Sequence, residues 1–215
     1  MALNHLAFCT HDPELTYKFY TEAMEFPIAG IEADDSKGNK YKHVFFDAKD
    51  GTFLAYYDLN AFGTKAHADA KTNVTQAMGL GPAYMHVAWE AEDEAGLNAI
   101  RDRWLALGLE VVEGKHHKDW MHSIYTFDPN GLMVECAYVC GTLPENDAIH
   151  AYQLFVEKRG IDEIGYEREG VKGMTLHLPD PEVVKPDYYV STVKQMLNME
   201  VEEVKDVPSI TVVQH

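Results

Sequence analysis

LNHLAFCTHDPELTYKFYTEAM (residues 3–24) and YMHVAWEAEDEAGLNAIRDRWLAL (residues 84–107) carry one pattern twice. Each opens on a short alternating apolar strand that contains a histidine, His5 or His86. Seven residues later comes an aspartate, Asp12 or Asp93, placed to accept from the free N–H groups at a helix start. Pro13 takes the first helical position, where its missing N–H does no harm. Apolar residues then recur at helical spacing: Leu15, Phe19 and Ala23 in one copy, Leu97, Ile100, Trp104 and Leu107 in the other. Gly108 stands where a helix stop belongs.

The repeat continues downstream. HVFFDAKDGTFLAYY (residues 43–57) reads as two strands joined at an Asp-Gly turn, and HSIYTFDPNGLMVECAY (residues 122–138) as the same hairpin joined at Pro-Asn-Gly. Aligning Gly51 with Gly131 sets Ala55 against Glu135. With extra strands near 27–34 and 109–114, each half becomes β-α-β-β-β. Neither half can bury its faces alone, so the two pack as one α+β domain. The modules span about 2–60 and 83–140 within a domain over 1–140. Residues 61–82 form a linker rich in Ala, Thr and Gly. Residues 141–215 have no counterpart in the repeat and form an extension, with helical stretches near 146–158 and 188–198.

Composition narrows the function classes. The 215 residues carry a formal net charge of −17, which repels nucleic acid and anionic membrane surfaces. No apolar run approaches the ~20 residues of a membrane span, and the N-terminus does not read as a signal peptide. Cys9, Cys136 and Cys140 form no CxxC pair. An odd count of this kind fits reduced thiols in a cytoplasmic protein.

The chemistry lies in three residues. His5 and His86 hold matching places in the repeats, and pseudo-twofold packing brings matching places together. Glu135 lies within the apolar strand LMVECAYV, where a carboxylate is costly unless something pairs with it. Two histidines and a carboxylate form a facial ligand set with open positions, the pattern of non-haem Fe(II) sites. Mn(II), Zn(II) and Ni(II) accept the same donors.

These residues resemble the glyoxalase/bleomycin-resistance/dioxygenase superfamily, also called vicinal oxygen chelate, over about residues 2–140. The most specific part is HSIYTFDPNGLMVE, close to that family's aromatic-x-x-Asp-Pro-x-Gly-x-x-x-Glu signature. The resemblance implies a curved mixed sheet around a metal held by His5, His86 and Glu135. Within the superfamily, His116, Tyr125 and Glu135 are similar in order to the closing motif of type I extradiol ring-cleavage dioxygenases. That implies an oxidoreductase of aromatic catabolism, cleaving a catechol or related dihydroxyaromatic with O2. Tyr125 would then bond a substrate oxygen and His116 would manage charge. Ser123, Phe127, Trp120 and Tyr56 would line the substrate pocket. The extradiol enzymes also carry an acid–base histidine shortly before the second metal histidine. KTNVTQAMGLGPAYMH (residues 71–86) has none ahead of His86, and the nearest candidate is His67.

Other chemistries use the same scaffold. A lyase, isomerase or thiol transferase employs the metal as a Lewis acid without O2. Ala55, at the place of a fourth ligand, argues against the glyoxalase and epimerase forms. A non-catalytic binding protein is a third alternative, which retention of all three ligands disfavours. The expected partners are a small aromatic molecule, O2 and a second copy of the chain, since symmetric dimers are the common case.

Overall fold

Period-two alternation places strands at both histidines. The computed structural model describes residues 2–35, 40–116, 120–143, 145–166, 174–197 and 211–212. The first module forms β1 (His5–Thr10), β2 (Ile28–Asp34), β3 (Tyr41–Asp47) and β4 (Phe53–Asp58), in the order β1-β4-β3-β2. The second forms β5 (His86–Glu90), β6 (Val111–His116), β7 (Met121–Phe127) and β8 (Met133–Val139). The extension adds β9 (Met174–His177) and β10 (Thr211–Val212), so the second sheet runs β10-β9-β6-β7-β8-β5. Both sheets are mixed: β1 pairs parallel with β4 and β5 parallel with β8, while the other pairings are antiparallel. The strands expected near 27–34 and 109–114 are β2 and β6.

Both predicted helix caps form. Asp12 Oδ1 accepts from the Leu15 amide at 3.0 Å and Asp93 Oδ1 from the Gly96 amide at 2.8 Å. The helix Glu94–Ala106 is regular, whereas the helix Pro13–Lys18 passes into a π turn at Phe19–Ala23. That wider turn puts the consecutive residues Phe19 and Tyr20 inside together, both fully buried. Among the described residues no helix is long and apolar enough to cross a membrane.

The modules meet differently from the sequence expectation. The faces opposite the histidines pack together, and one core joins Phe46, Leu54 and Tyr56 of the first sheet to Ile124, Val134 and Cys136 of the second. Phe19, Tyr20 and Trp104 fill the space between them. Trp104 Nε1 donates to the Ala23 carbonyl at 2.9 Å, tying the two helical segments. β1 and β5 are edge strands of separate sheets.

One buried carboxylate links the modules. Asp128 Oδ2 accepts from Tyr56 at 2.6 Å and from Tyr20 at 3.1 Å, both in the first module. Its Oδ1 accepts from the Asn130 and Leu132 amides of its own turn at 2.9 and 2.8 Å. Gly131 completes the turn at φ +77°, in the left-handed region where a side chain is strained. The linker docks here, with Asn73 Nδ2 donating to the Gly131 carbonyl.

The extension packs against both modules. Its Tyr188 is buried against Phe19, with ring centres 5.9 Å apart, and donates to Glu22 at 2.9 Å. Tyr189 and Ser191 donate to the buried carboxylate of Glu110, and Thr192 donates to the Glu110 carbonyl. Val190 and Met196 then cover Val112, Tyr125, Phe127 and Met133.

Asp128→Ala removes the acceptor of two buried hydroxyls and two amides. It should lower unfolding free energy by about 3 kcal/mol or more, and Tyr56→Phe by about 1 kcal/mol. Urea denaturation measures both, and a wild-type midpoint for Asp128→Ala would rule out this link as a main support.

Candidate metal centre

Glu135 sits on β8 with Met133 and Ala137 on its face. Cross-strand register sets Tyr125 of β7 opposite it on one side and Ala88 of β5 on the other. His86, two residues before Ala88, shares that face. The face is therefore a row of His86, Glu135, Tyr125 and Ser123, with Phe127 at one end. Glu135 is only 3% exposed and Ser123 is fully buried.

His86 Nε2 stands 3.0 Å from Glu135 Oε2. The other ring nitrogen, Nδ1, lies 3.0 Å from the Ala83 carbonyl, which can only accept. In a neutral ring the proton therefore belongs on Nδ1, and the Nε2 lone pair faces a carboxylate. Two acceptors face each other at that distance only with a cation between them or a second proton on the ring. Two donors about 2.1 Å from one ion at a right angle stand about 3.0 Å apart. Glu135 Oε1 is buried and makes no hydrogen bond among the described residues. The spacing, the orphaned oxygen and the donor types all fit a divalent ion.

The charges are coupled. The hydrogen bond to Glu135 raises the His86 pKa, outweighing partial burial. Burial alone would push the Glu135 carboxyl up, but the neighbouring His86, Ser123 and Tyr125 hold it below its ordinary value. Burial and the Glu135 charge push the Tyr125 phenol well up, so its hydroxyl stays protonated.

His5 does not join this pair. Among the described residues no three His, Cys, Asp or Glu side chains are arranged to hold a metal. His5 is exposed on β1 of the other sheet, with its ring 5.8 Å from Phe45 and 6.5 Å from His43. Its Nδ1 lies 2.7 Å from Asn4 Oδ1, which directs the Nε2 lone pair outward. A carbonyl oxygen orients each histidine in the same way, as ligand-holding contacts do.

The remaining predicted residues divide. Ser123, Tyr125 and Phe127 lie on the Glu135 face. Trp120 lies just before β7, with Nε1 buried and without a hydrogen bond among the described residues. Tyr56 is corrected: its hydroxyl is taken by Asp128, and it sits on the opposite face of the first sheet. His67 is used locally, paired with Thr64 and stacked on Phe62 with ring centres 4.4 Å apart. The side chain of His116 lies outside the described residues, although its backbone ends β6 opposite Met121. Sequence reasoning missed His43, which aligns with Ser123 once the two hairpins are superposed. Comparing the repeats position by position would have found it.

A family model described as the Glyoxalase/Bleomycin resistance protein/Dioxygenase superfamily matches residues 2–136. No curated protein matches the chain. Solved structures similar to it include a lactoylglutathione lyase from Agrobacterium tumefaciens, 18% identical with a TM-score of 0.44, covering 64% of this chain and 92% of that one. The fosfomycin resistance protein FosX from Listeria monocytogenes, complexed with Mn(II) and sulfate, is 20% identical with a TM-score of 0.43, covering 66% and 93%. The oxidase ChaP-H2 is 17% identical with a TM-score of 0.45, covering 66% and 95%.

In chelator-treated protein the His86–Glu135 pair should give a bell-shaped stability contribution. A raised histidine pKa contributes fully below the ordinary value of 6.5 and loses that as pH rises through the folded value. A lowered carboxyl pKa contributes fully above the ordinary 4.5 and loses that as pH falls through the folded value. The contribution is therefore complete between about pH 4.5 and 6.5 and shrinks on both sides. Thermal unfolding of wild type and His86→Gln across pH measures the difference, and a difference independent of pH contradicts the pairing.

Proposed function

Because the chain belongs to the Glyoxalase/Bleomycin resistance protein/Dioxygenase superfamily, we propose that it is a divalent-metal enzyme with His5, His86 and Glu135 as ligands, cleaving a catechol or related dihydroxyaromatic with O2. The observation that carries this reading is the His86–Glu135 pair, with one lone pair facing the carboxylate and one buried oxygen left unbonded.

The third ligand comes from a second copy of the chain. His5 and His86 lie on edge strands of two different sheets, and both rings are exposed. A twofold dimer interface is self-complementary. It sets β1 of each protomer beside β5 of its partner and completes two equal sites. Leu143, Ile149, Tyr152, Phe155 and Val156 are all more than half exposed, apolar side chains of the kind self-association covers.

Fe(II) is the ion this reading favours, with Mn(II), Zn(II) and Ni(II) accepting the same donors. When bound, Fe(II) supplies a Lewis acid for two adjacent substrate oxygens and a redox partner for O2. The chain's own residues do the rest. Tyr125, kept protonated, donates to a substrate oxygen beside Glu135. Ser123 Oγ and Trp120 Nε1, buried without a hydrogen bond among the described residues, offer further polar contacts. Phe127, backed by Val190 and Met196, forms an apolar wall that excludes water from the ring. His116 ends β6 on the register row of Met121 and remains a candidate for the substrate's charge.

Anaerobically prepared, Fe(II)-loaded protein mixed with catechols in air should give a yellow product with stoichiometric O2 uptake. Bound metal with no O2 uptake across a broad panel would replace this reading with the Lewis-acid lyase, isomerase or transferase chemistry. Glu135→Ala should lose the metal while keeping the fold. Tyr125→Phe should keep the metal and lower turnover roughly 10- to 100-fold. His5→Ala and Glu135→Ala chains, each metal-free alone, should recover about one quarter of wild-type metal when refolded together, because half the dimers are mixed and each holds one intact site. No recovery would mean that His5 does not act across the dimer.

A further inference from the structure

His43 is the one histidine of the first sheet that is buried, at 4% exposure, and neither ring nitrogen makes a hydrogen bond among the described residues. Neutral imidazole carries one donor and one acceptor, and leaving both unmet in the interior is costly. A ring used only for packing would serve as well as phenylalanine. The ring is held firmly: it stacks on Tyr57 with centres 3.8 Å apart and planes 6° apart, and lies 4.3 Å from Phe45. Glu32 Oε2 is 3.6 Å from Nδ1, beyond hydrogen-bond reach but near enough to draw a proton to that nitrogen. Nε2 is then left with its lone pair.

The register puts His43 on the face that carries His5. Tyr57 pairs with His43 across β4 and β3, and His5 pairs with Phe53 across β1 and β4. Phe53, Ala55 and Tyr57 alternate along one face of β4. The two imidazole centres are 6.5 Å apart although their strands are not neighbours, so both rings lie together on one face of the sheet. In the repeat, His43 takes the place that Ser123 takes in the second module, beside the position matching Glu135.

We propose that His43 is a substrate-contacting residue of the metal chamber, where it hydrogen-bonds a ring hydroxyl of the dihydroxyaromatic while Phe45 and Tyr57 flank the ring. This rests on the reading that His5 serves the metal across the dimer, because that contact brings the His43 face over Glu135. It also gives the work expected of His67 to a different histidine. His67 is already paired with Thr64 and Phe62, whereas among the described residues His43 makes no hydrogen bond and lies on the face that carries His5.

The test uses the Fe(II)-loaded full chain under anaerobic conditions, with 4-nitrocatechol as the probe. Its absorbance reports binding without turnover. Wild type and His43→Phe should hold equal metal, and His43→Phe should bind the probe about 10-fold or more weakly. His43→Gln, which keeps a donor and an acceptor, should recover part of that loss and guards against a folding defect in the phenylalanine variant. Equal affinity in wild type and His43→Phe overturns the assignment while leaving the catechol reading intact. Loss of metal in both His43 variants with unchanged thermal stability also overturns it, making His43 part of the ion's support instead. Wild-type protein that holds iron yet ignores the probe overturns the catechol reading and this assignment together.

Discussion

The Asp128 carboxylate accepts hydrogen bonds from Tyr20 and Tyr56 of the first module and from the backbone of its own turn in the second. Burial pushes its pKa up, and the surrounding donors only partly offset that. A carboxylate buried there without partners would be costly, so the turn, the π segment and β4 support one another. β7 and β8 leave this turn in opposite directions, and β8 carries Glu135. The same link that joins the modules thus helps fix where the Glu135 carboxylate, the proposed metal ligand, sits.

The second sheet has two faces with different duties. Ile124, Val134 and Cys136 build the shared core, while Tyr125, Met133 and Glu135 form the opposite face. The extension is part of this division rather than an appendage. It lengthens the sheet through β9, anchors itself on buried Glu110, and lays Val190 and Met196 beside Tyr125. Among the described residues, Glu135 Oε1 and Ser123 Oγ on this face are buried without a hydrogen bond, which is uncommon in a protein interior.

Separation of the two sheets is the organising feature of the site. Each module keeps its own edge strand, and each edge strand carries one of the matching histidines, His86 with Nε2 toward Glu135 and His5 exposed on the other sheet. Within one chain His86 pairs with Glu135, and His5 stands apart on the other sheet. On the proposed reading, a chemistry that needs all three donors would exist only in an assembly, linking activity to subunit concentration.

Much of this was legible in the residues alone. Alternation around His5 and His86, caps at Asp12 and Asp93, and turns at Gly51 and Gly131 determine two βαβββ units because each is a local property of backbone and side chain. The cost of Glu135 in an apolar strand marked it for a partner, and His86 proved to be one. Internal symmetry showed which positions correspond, but correspondence is not contact. Whether two like modules meet through the faces that bear the histidines or through the opposite ones depends on which pairing buries more apolar surface and satisfies Asp128. That balance sums interactions between residues about 70 to 110 positions apart, such as Tyr20 and Tyr56 with Asp128. The same long-range sum assigned Tyr56 to the core and buried His43, while His67 was tied to its own turn by Thr64 and Phe62, because only packed neighbours decide which polar groups are already bonded.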